Sequence, residues 1–199
     1  MIHVSAQPEP PSFNHDVRQR GLAWLQKSKI ALDHPLPPNT HIEPYWRPCL
    51  EDMHSIYNGC CAYLAIFFER VAGGGPIDHF IAKSKRADLA YEWNNYRLAC
   101  SRMNSRKRDY DDVLDPFEVG NGWFQLEPVS GRIFPDPQLS EDRLREVQMT
   151  INRLGLDDAG NREMRARHYQ EYREGLYTAT FLKKRSPFVW QEAHRQGLL

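Results

Sequence analysis

The sequence lacks an excess of charge of either sign, because 26 lysines and arginines balance 26 aspartates and glutamates. Affinity for nucleic-acid backbones normally comes from a surplus of basic side chains, so this balance argues against a non-specific polyanion binder. The basic residues are nevertheless unevenly distributed. Between Lys83 and Arg108, eight basic residues stand against two acidic ones, Asp88 and Glu92. The balanced total therefore leaves one basic segment whose role has to be explained.

Long apolar runs are also missing. The longest, Cys60–Phe68, has nine residues, whereas a membrane helix needs about 20. Residues 1–30 carry prolines and charges in place of a basic start followed by an apolar stretch, which argues against a secretion signal. The four cysteines, Cys49, Cys60, Cys61 and Cys100, are then expected to be free thiols in a reducing compartment. These absences predict a soluble, cytoplasmic protein without a membrane segment.

Composition and apolar periodicity divide the chain into three predicted regions: an N-terminal extension (1–48), a core (49–134) and a C-terminal helical region (135–199). The extension holds a helix and a proline-rich connector, and the core is expected to carry the chemistry. Apolar residues spaced by three and four predict helices over 16–30, 50–69, 96–109, 161–174 and 187–195. A further helix is expected to begin after an N-cap at Ser140 and to end at Gly155 or Gly160.

Strands are predicted at two places in the core. The turn Gly73-Gly74-Gly75-Pro76 should precede a short strand over 77–81. Asn121-Gly122 separates two aromatic-rich segments, 117–119 and 123–126, and predicts a β-hairpin, while Ser130-Gly131 predicts another tight turn. Together with the helices, these strands predict an α+β fold.

One group of residues combines what cleavage of a phosphodiester backbone requires: a general base, a divalent cation and basic side chains. His79 offers an imidazole, and Asp78 and Asn104 offer the oxygen ligands that Mg²⁺ prefers. Asn104 and Lys107 are three residues apart, hence on one face of the predicted helix. Consecutive side chains of a strand point in opposite directions, so Asp78 and His79 can serve one site only if the strand ends or bulges there.

These residues resemble the HNH endonucleases of the ββα-metal, or His-Me finger, type. The pattern of that family is an acidic residue and a histidine on a first strand, an asparagine on a second, and a helix carrying C-x-x-C-N-x-x-K. Asp78-His79, Asn95, and the segment from Cys100 through Asn104 to Lys107 have this order and spacing, and the resemblance extends over residues 58–110. It implies a small ββα-metal core with a β-hairpin, surrounded by N- and C-terminal α-helices.

The resemblance also assigns roles. His79 would be the general base, with Asn95 orienting its imidazole, and Asp78 and Asn104 would hold a divalent cation, Mg²⁺ or alternatively Mn²⁺. Lys107 would contact phosphate. The basic segment as a whole offers five candidate contacts with nucleic acid: Lys83, Lys85, Arg102, Arg106 and Lys107.

The sequence departs from the family at the structural zinc site that many members build from two C-x-x-C pairs. The corresponding segments here are Cys61-Ala62-Tyr63-Leu64 and Cys100-Ser101-Arg102-Met103. Two thiolates cannot complete a tetrahedral zinc site. No structural zinc is therefore predicted, and Leu64 and Met103 are expected to pack where the metal would lie.

Three functional hypotheses follow. The first is a metal-dependent DNA endonuclease, resembling the effector nucleases of bacterial antiphage defence that a regulatory protein partner restrains; size and layout alone suggest that comparison. The second is a non-catalytic nucleic-acid or partner-binding module on the same scaffold, and the third is an RNase of the same architecture.

Each residue of the motif also has a plainer interpretation. Asp78-His79 could be a surface pair, Asn95 a turn residue, and Asn104 with Lys107 a solvated helix face. The acidic run, consisting of Asp109, Asp111, Asp112 and Asp115, is predicted to be a solvated loop or a repulsive rim rather than a second metal site.

Overall fold

Short helices and two small antiparallel sheets make this an α+β protein, as the sequence predicts. The computed structural model describes residues 1–37, 39–73 and 77–199. The predicted turn before the first strand includes residues 74–76, which lie outside the described residues. Within the described residues, no helix has the length and apolarity needed to cross a membrane.

Contacts within the chain divide it into two compact units, each described below by itself. Unit 1 consists of Met1–Ser5, Cys60–Phe68 and Asp112–Leu199, and unit 2 consists of Ala6–Gly59 and Glu69–Asp111. Neither unit coincides with one of the three regions drawn from the sequence, and that division stays a prediction.

The first helical element of unit 2 is a π-helical segment, Asn14–Gln19, which continues directly into helix α1 (Arg20–Lys27). These two segments bear out the helix predicted over 16–30. Buried Leu25 faces the interior, and Gly21 allows close packing, because a Cβ there would lie 2.1 Å from Cγ of Tyr91. Glycine is therefore required at this contact.

Helix α2 (Leu50–Ile56) is much shorter than the predicted helix over 50–69. Asn58 and Gly59 adopt left-handed backbone angles, with φ of 52° and 63°, and thereby end the helix. Cys60 and Phe67 then form an isolated antiparallel β-bridge in unit 1. The three-and-four spacing of apolar residues beyond residue 57 was thus misleading.

The sheet that carries the candidate site follows helix α3 (Arg70–Gly73). Strand β1 (Ile77–His79) pairs antiparallel with β2 (Tyr96–Leu98), and Asp78 lies opposite Arg97. Helix α4 (Ser101–Lys107) comes next along the chain. The predicted helix over 96–109 is wrong at its start, because residues 96–98 form strand hydrogen bonds with β1 and are buried there.

Unit 1 contains the second sheet, a hairpin of β3 (Phe124–Glu127) and β4 (Arg132–Pro135). The hairpin predicted across Asn121-Gly122 is wrong, because residues 118 and 119 donate backbone hydrogen bonds to Asp115 O and form a turn. The chain reverses at residues 128–131 instead, which bears out the tight turn predicted at Ser130-Gly131. Gly131, at φ 70°, approaches the backbone of Arg162 so closely that a Cβ would lie 2.0 Å from its carbonyl oxygen.

The helices of unit 1 after the hairpin are α5 (Glu141–Leu154), α6 (Ala159–Arg173), α7 (Ala179–Arg185) and α8 (Pro187–Arg195). Ser140 Oγ accepts a hydrogen bond from Arg143 N, and Gly155 ends α5 at φ 55°, as predicted. Helix α8 has the predicted bounds. Helix α7 was not predicted.

A buried polar pair lies in the interior of unit 1. His168 Nδ1 lies 2.5 Å from Ser186 Oγ, which joins α6 to the residue preceding α8. Burial lowers the pKa of His168 to about 4, with a smaller contribution from the positive charge of Arg185. The ring is therefore neutral at neutral pH.

Candidate active site

A cavity of about 250 Å³ lies in unit 2 at the end of strand β1. It is lined by Asp78, His79 and Asn104, which the sequence had grouped, and by Ile77, Ala82, Lys83, Ser84, Arg108 and Asp109. The strand ends at His79. This is the condition under which the neighbouring side chains of Asp78 and His79 can serve a common site.

The imidazole of His79 is almost fully buried, with 7% of the residue exposed. Its Nε2 lies 3.0 Å from the carbonyl oxygen of Ala90. A carbonyl oxygen can only accept, so Nε2 donates, and Nδ1 is the unprotonated nitrogen of the neutral ring. Trp46 and Tyr96 pack against the ring nearly perpendicularly, with centroid distances of 4.7 and 5.1 Å. The ring therefore has a defined position and a defined tautomer.

Burial is also the main reason that the pKa of His79 falls to about 3. The positive charge of Lys83 lowers this pKa further, while the hydrogen bond to Ala90 acts in the opposite direction. The ring is consequently neutral and able to accept a proton at neutral pH, but it is a weak base. An anion bound beside it would raise its pKa and its basicity.

The side chain of Asn95 holds the backbone that follows β1. Its Oδ1 accepts a hydrogen bond from Ile81 N at 2.8 Å, and its Nδ2 donates to Ile81 O at 2.9 Å and to Leu89 O at 3.0 Å. The predicted contact with the imidazole is therefore replaced by contacts with main-chain groups. Asn95 supports His79 indirectly, because Leu89 precedes the residue whose carbonyl holds the ring.

Lys107 has a structural role that differs from the predicted phosphate contact. It is 0% exposed, and its Nζ donates a hydrogen bond to Phe80 O at 2.8 Å. Burial lowers the pKa of the ammonium group, and the negative charge of Asp78 partly offsets this. Lys107 thus ties α4 to the segment after β1 and is unavailable to phosphate in this conformation.

Of the five predicted nucleic-acid contacts, Lys83 belongs to the described lining of the cavity, and Lys85, Arg102, Arg106 and Lys107 do not. Lys83 Nζ lies 4.9 Å from the centroid of the Trp46 ring. Burial lowers the pKa of Lys83, and the nearby charge of Asp78 acts in the opposite direction. Lys85 forms a 2.8 Å ion pair with Asp111 on the surface.

The cavity also contains residues that sequence reasoning missed. Arg108 and Asp109 directly follow the recognised motif, and their adjacency to Lys107 could have identified them. Trp46 comes from the N-terminal extension, in the segment interpreted as a proline-rich connector, and no sequence pattern linked it to His79. Ala90 contributes its main-chain carbonyl, a group that every residue has, so the residue types in the sequence could not identify it.

The acidic run lies outside helices and strands, and Asp109 and Asp111 are exposed, as expected for the solvated loop predicted from the sequence. Asp109 lines the cavity, and Asp111 pairs with Lys85. In unit 1, Asp112 forms an ion pair with Arg153 at 2.7 Å, and Asp115 Oδ1 accepts a hydrogen bond from Phe117 N. The run therefore supplies separate local interactions.

Residues that could hold a metal are oxygen donors. Within the described ranges, no group of three or more His, Cys, Asp or Glu side chains is placed to hold an ion. The cavity nevertheless has the carboxylates of Asp78 and Asp109 and the amide of Asn104 along its wall. Mg²⁺ commonly takes one or two protein carboxylates, several waters and substrate phosphate oxygens, so this lining suits it.

At the positions compared with the family's zinc site, Leu64 and Met103 are both buried. Leu64 belongs to unit 1 and Met103 to unit 2. Burial raises the pKa of the neighbouring Cys60 thiol to about 12, which keeps it protonated at neutral pH.

The chain matches no protein-family model, and no curated protein is significantly similar to it. A functional assignment therefore depends on the geometry and chemistry of the cavity.

Proposed function

We propose that this chain is a metal-dependent endonuclease of the HNH type that hydrolyses phosphodiester bonds of DNA. The observation that supports this proposal best is the single cavity lined by Asp78, His79 and Asn104. Asp78 and His79 lie on β1 and Asn104 lies on α4, with β2 between them along the chain and Asn95 directly before β2. This order is the one that the resemblance implies.

In the proposed mechanism His79 is the general base. Its Nδ1 takes a proton from the attacking water, while Nε2 remains bonded to the Ala90 carbonyl and keeps the ring in place. Binding of a phosphate would increase the basicity of the ring, which is weak in the free protein. Proton abstraction is then most favourable when substrate is present.

Asp78 and Asn104 hold the divalent cation, Mg²⁺ or Mn²⁺. When bound, this ion supplies positive charge that stabilises the phosphate and the leaving oxygen. Lys83, which lines the cavity, would add positive charge near a bound phosphate. Asn95 and Lys107 fix the segment after β1 from two sides, through the main-chain groups of Ile81 and Phe80.

A cleavage assay tests this function. The purified chain is incubated with supercoiled plasmid and, separately, with single-stranded and duplex RNA, in Mg²⁺, in Mn²⁺ and with a chelator. We expect metal-dependent nicking of plasmid that His79→Ala and Asp78→Asn reduce by at least about 100-fold. The exposed His34 provides a matched control, and His34→Ala should cut like wild type. Full cutting by a folded His79→Ala variant would contradict the mechanism.

The burial of His79 also supports a second candidate function, a non-catalytic binding module, which the same assay tests. His79 is almost fully buried, and this burial lowers the pKa of its imidazole to about 3. A ring that is so enclosed and so weakly basic in the free protein favours a non-catalytic module that binds nucleic acid or a protein partner. This alternative predicts retention of a labelled DNA duplex without cutting in any metal. Cutting of RNA alone would identify the third possibility, an RNase.

The link to antiphage defence remains part of the proposal. The balanced charge of the chain suits a nuclease that binds DNA weakly by itself and is directed by a regulatory protein. Such regulation predicts low activity for the isolated chain and higher activity when the partner is present.

A further inference from the structure

The residue that ends helix α4 has an unfavourable backbone conformation. Arg108 has φ 48° and ψ −129°, in the half of conformational space that residues with a Cβ rarely adopt and glycine adopts freely. Its N–H donates to Asn104 O and closes the last turn of the helix. A glycine would make the same backbone hydrogen bond with less strain, so the fold does not explain the arginine at this position.

Arg108 lines the same cavity as Asp78, His79 and Asn104. It is exposed, and its Nε donates a 3.3 Å hydrogen bond to Ser105 O within its own helix turn. No ion pair of Arg108 is found in the part of the chain that the structure describes. The guanidinium therefore adds positive charge to the cavity without an acidic partner there.

The other basic groups near the cavity are less suited to holding a phosphate. Lys107 is bonded to Phe80 O, and Lys83 is partly buried over the ring of Trp46. A guanidinium presents parallel N–H groups that match two phosphate oxygens, whereas an ammonium acts as a point charge. Strained residues with side chains tend to occur at functional sites.

We infer that Arg108 binds a phosphate group of the nucleic-acid strand in this cavity and that its strained backbone is retained for this contact. The inference rests on the proposed function, because it concerns the same site. It adds a binding residue that the motif Asn104-Ser105-Arg106-Lys107 does not contain. It also predicts an unusual combination of effects: replacing Arg108 with glycine should make the protein more stable and less active.

Three substitutions separate strain from charge. Arg108→Gly removes both, Arg108→Ala removes the charge but keeps the strain, and Arg108→Lys keeps both the strain and a charge. Lys29→Gly is the matched control, because Lys29 is an exposed basic residue with φ 54° just after α1 and is not part of the described cavity lining. Both glycine variants should melt about 2–4 °C higher than wild type.

Three measurements are made on the full chain: thermal melting, plasmid cleavage in Mg²⁺, and binding of a labelled DNA duplex in Ca²⁺. We expect Arg108→Gly and Arg108→Ala to lose at least 10-fold in cleavage, mainly through a raised KM, and Arg108→Lys to recover part of it. Lys29→Gly should cleave and bind like wild type. A lower melting temperature for Arg108→Gly would overturn the strain argument and the inference with it.

The failure of this inference is distinguishable from the failure of the proposed function. If wild type cuts and Arg108→Gly cuts equally well, Arg108 binds no phosphate and the endonuclease proposal stands. If wild type cuts neither DNA nor RNA, the endonuclease proposal fails, and the binding assay decides about Arg108. Weaker duplex binding by Arg108→Gly, with Lys29→Gly unchanged, would then support a phosphate site, and equal binding would overturn it.

Discussion

Replacing Asn95 with alanine removes three hydrogen bonds from the segment that follows strand β1. The lost bonds join its side chain to Ile81 N, Ile81 O and Leu89 O. A hydrogen bond contributes about 1 kcal/mol net, and buried main-chain groups left without partners cost more. Three bonds therefore correspond to a loss of about 3–4 kcal/mol in the free energy of unfolding, a large part of the roughly 5–15 kcal/mol of a typical domain.

Urea unfolding at pH 7.5, followed by tryptophan fluorescence, measures this loss. Trp46 and Trp93 both belong to unit 2 and report on its unfolding. Asn94→Ala is the matched control, because Asn94 is the exposed neighbour of Asn95, and only its carbonyl takes part in a described hydrogen bond, accepting from Arg97. The control should change stability by less than about 0.5 kcal/mol. A loss below about 1 kcal/mol for Asn95→Ala would refute the reasoning.

Asn95→Asp distinguishes the two kinds of hydrogen bond that Asn95 makes. The carboxylate can still accept a hydrogen bond from Ile81 N. Its second oxygen, however, replaces the Nδ2 group that donates to Ile81 O and Leu89 O, so that three oxygens face one another without a hydrogen. Protonation of the introduced carboxyl restores one donor, so its pKa should be raised in the folded state. The stability of this variant, relative to wild type, should therefore increase as the pH falls from 7.5 to 5.

Three further predictions concern other buried polar groups. Lys107→Met keeps the apolar part of the side chain but leaves Phe80 O without the ammonium donor, so urea unfolding should show a loss of about 1–3 kcal/mol in the free energy of unfolding. Lys27→Met, at an exposed lysine, should change it little. The pKa of His168 is about 4 in the folded state, below its value in the unfolded chain, so the unfolded chain takes up the proton first as the pH falls. The contribution of His168 to the free energy of unfolding is therefore full above about pH 6.5 and declines by up to about 3 kcal/mol towards pH 4. Comparing wild type with His168→Gln at pH 7.5 and pH 4.5 isolates this contribution, and parallel losses in both proteins would contradict it. Mg²⁺ should raise the melting temperature of wild type but not that of Asp78→Asn, and a chelator should reverse the increase; equal shifts in both proteins would place the ion elsewhere.

Features that depend on local chemistry were predictable from the sequence. The N-cap at Ser140, the end of α5 at Gly155 and the start of α8 at Pro187 each follow from one or two neighbouring residues. The resemblance implied a second strand near Asn95, but the apolar pattern missed β2 because this strand depends on pairing with β1, some twenty residues earlier. The end of α2 was missed because the apolar spacing continues past Asn58, although the backbone does not remain helical.

At the candidate site, spacing was sufficient to group Asp78, His79 and Asn104, which line one cavity. Spacing could not predict where the Lys107 side chain lies, because a lysine on a polar helix is normally solvated. Here its ammonium group is buried and donates a hydrogen bond to the main-chain carbonyl of Phe80. Nor could spacing predict the partner of the imidazole, since Ala90 contributes only its carbonyl. The sequence identified the reactive groups, whereas the groups that hold them are main-chain atoms brought together by the fold.

The interleaving of the two units has a consequence for biosynthesis. Every segment of unit 2 precedes Asp112, whereas unit 1 combines Met1–Ser5 and Cys60–Phe68 with a segment that starts at Asp112. As the chain leaves the ribosome, the residues around His79 can acquire their contacts while the partners of those two early segments are still being translated. Cys60–Phe68, an apolar stretch, therefore remains without these partners until the later segment of unit 1 has been synthesised, and exposed apolar segments of this kind favour aggregation.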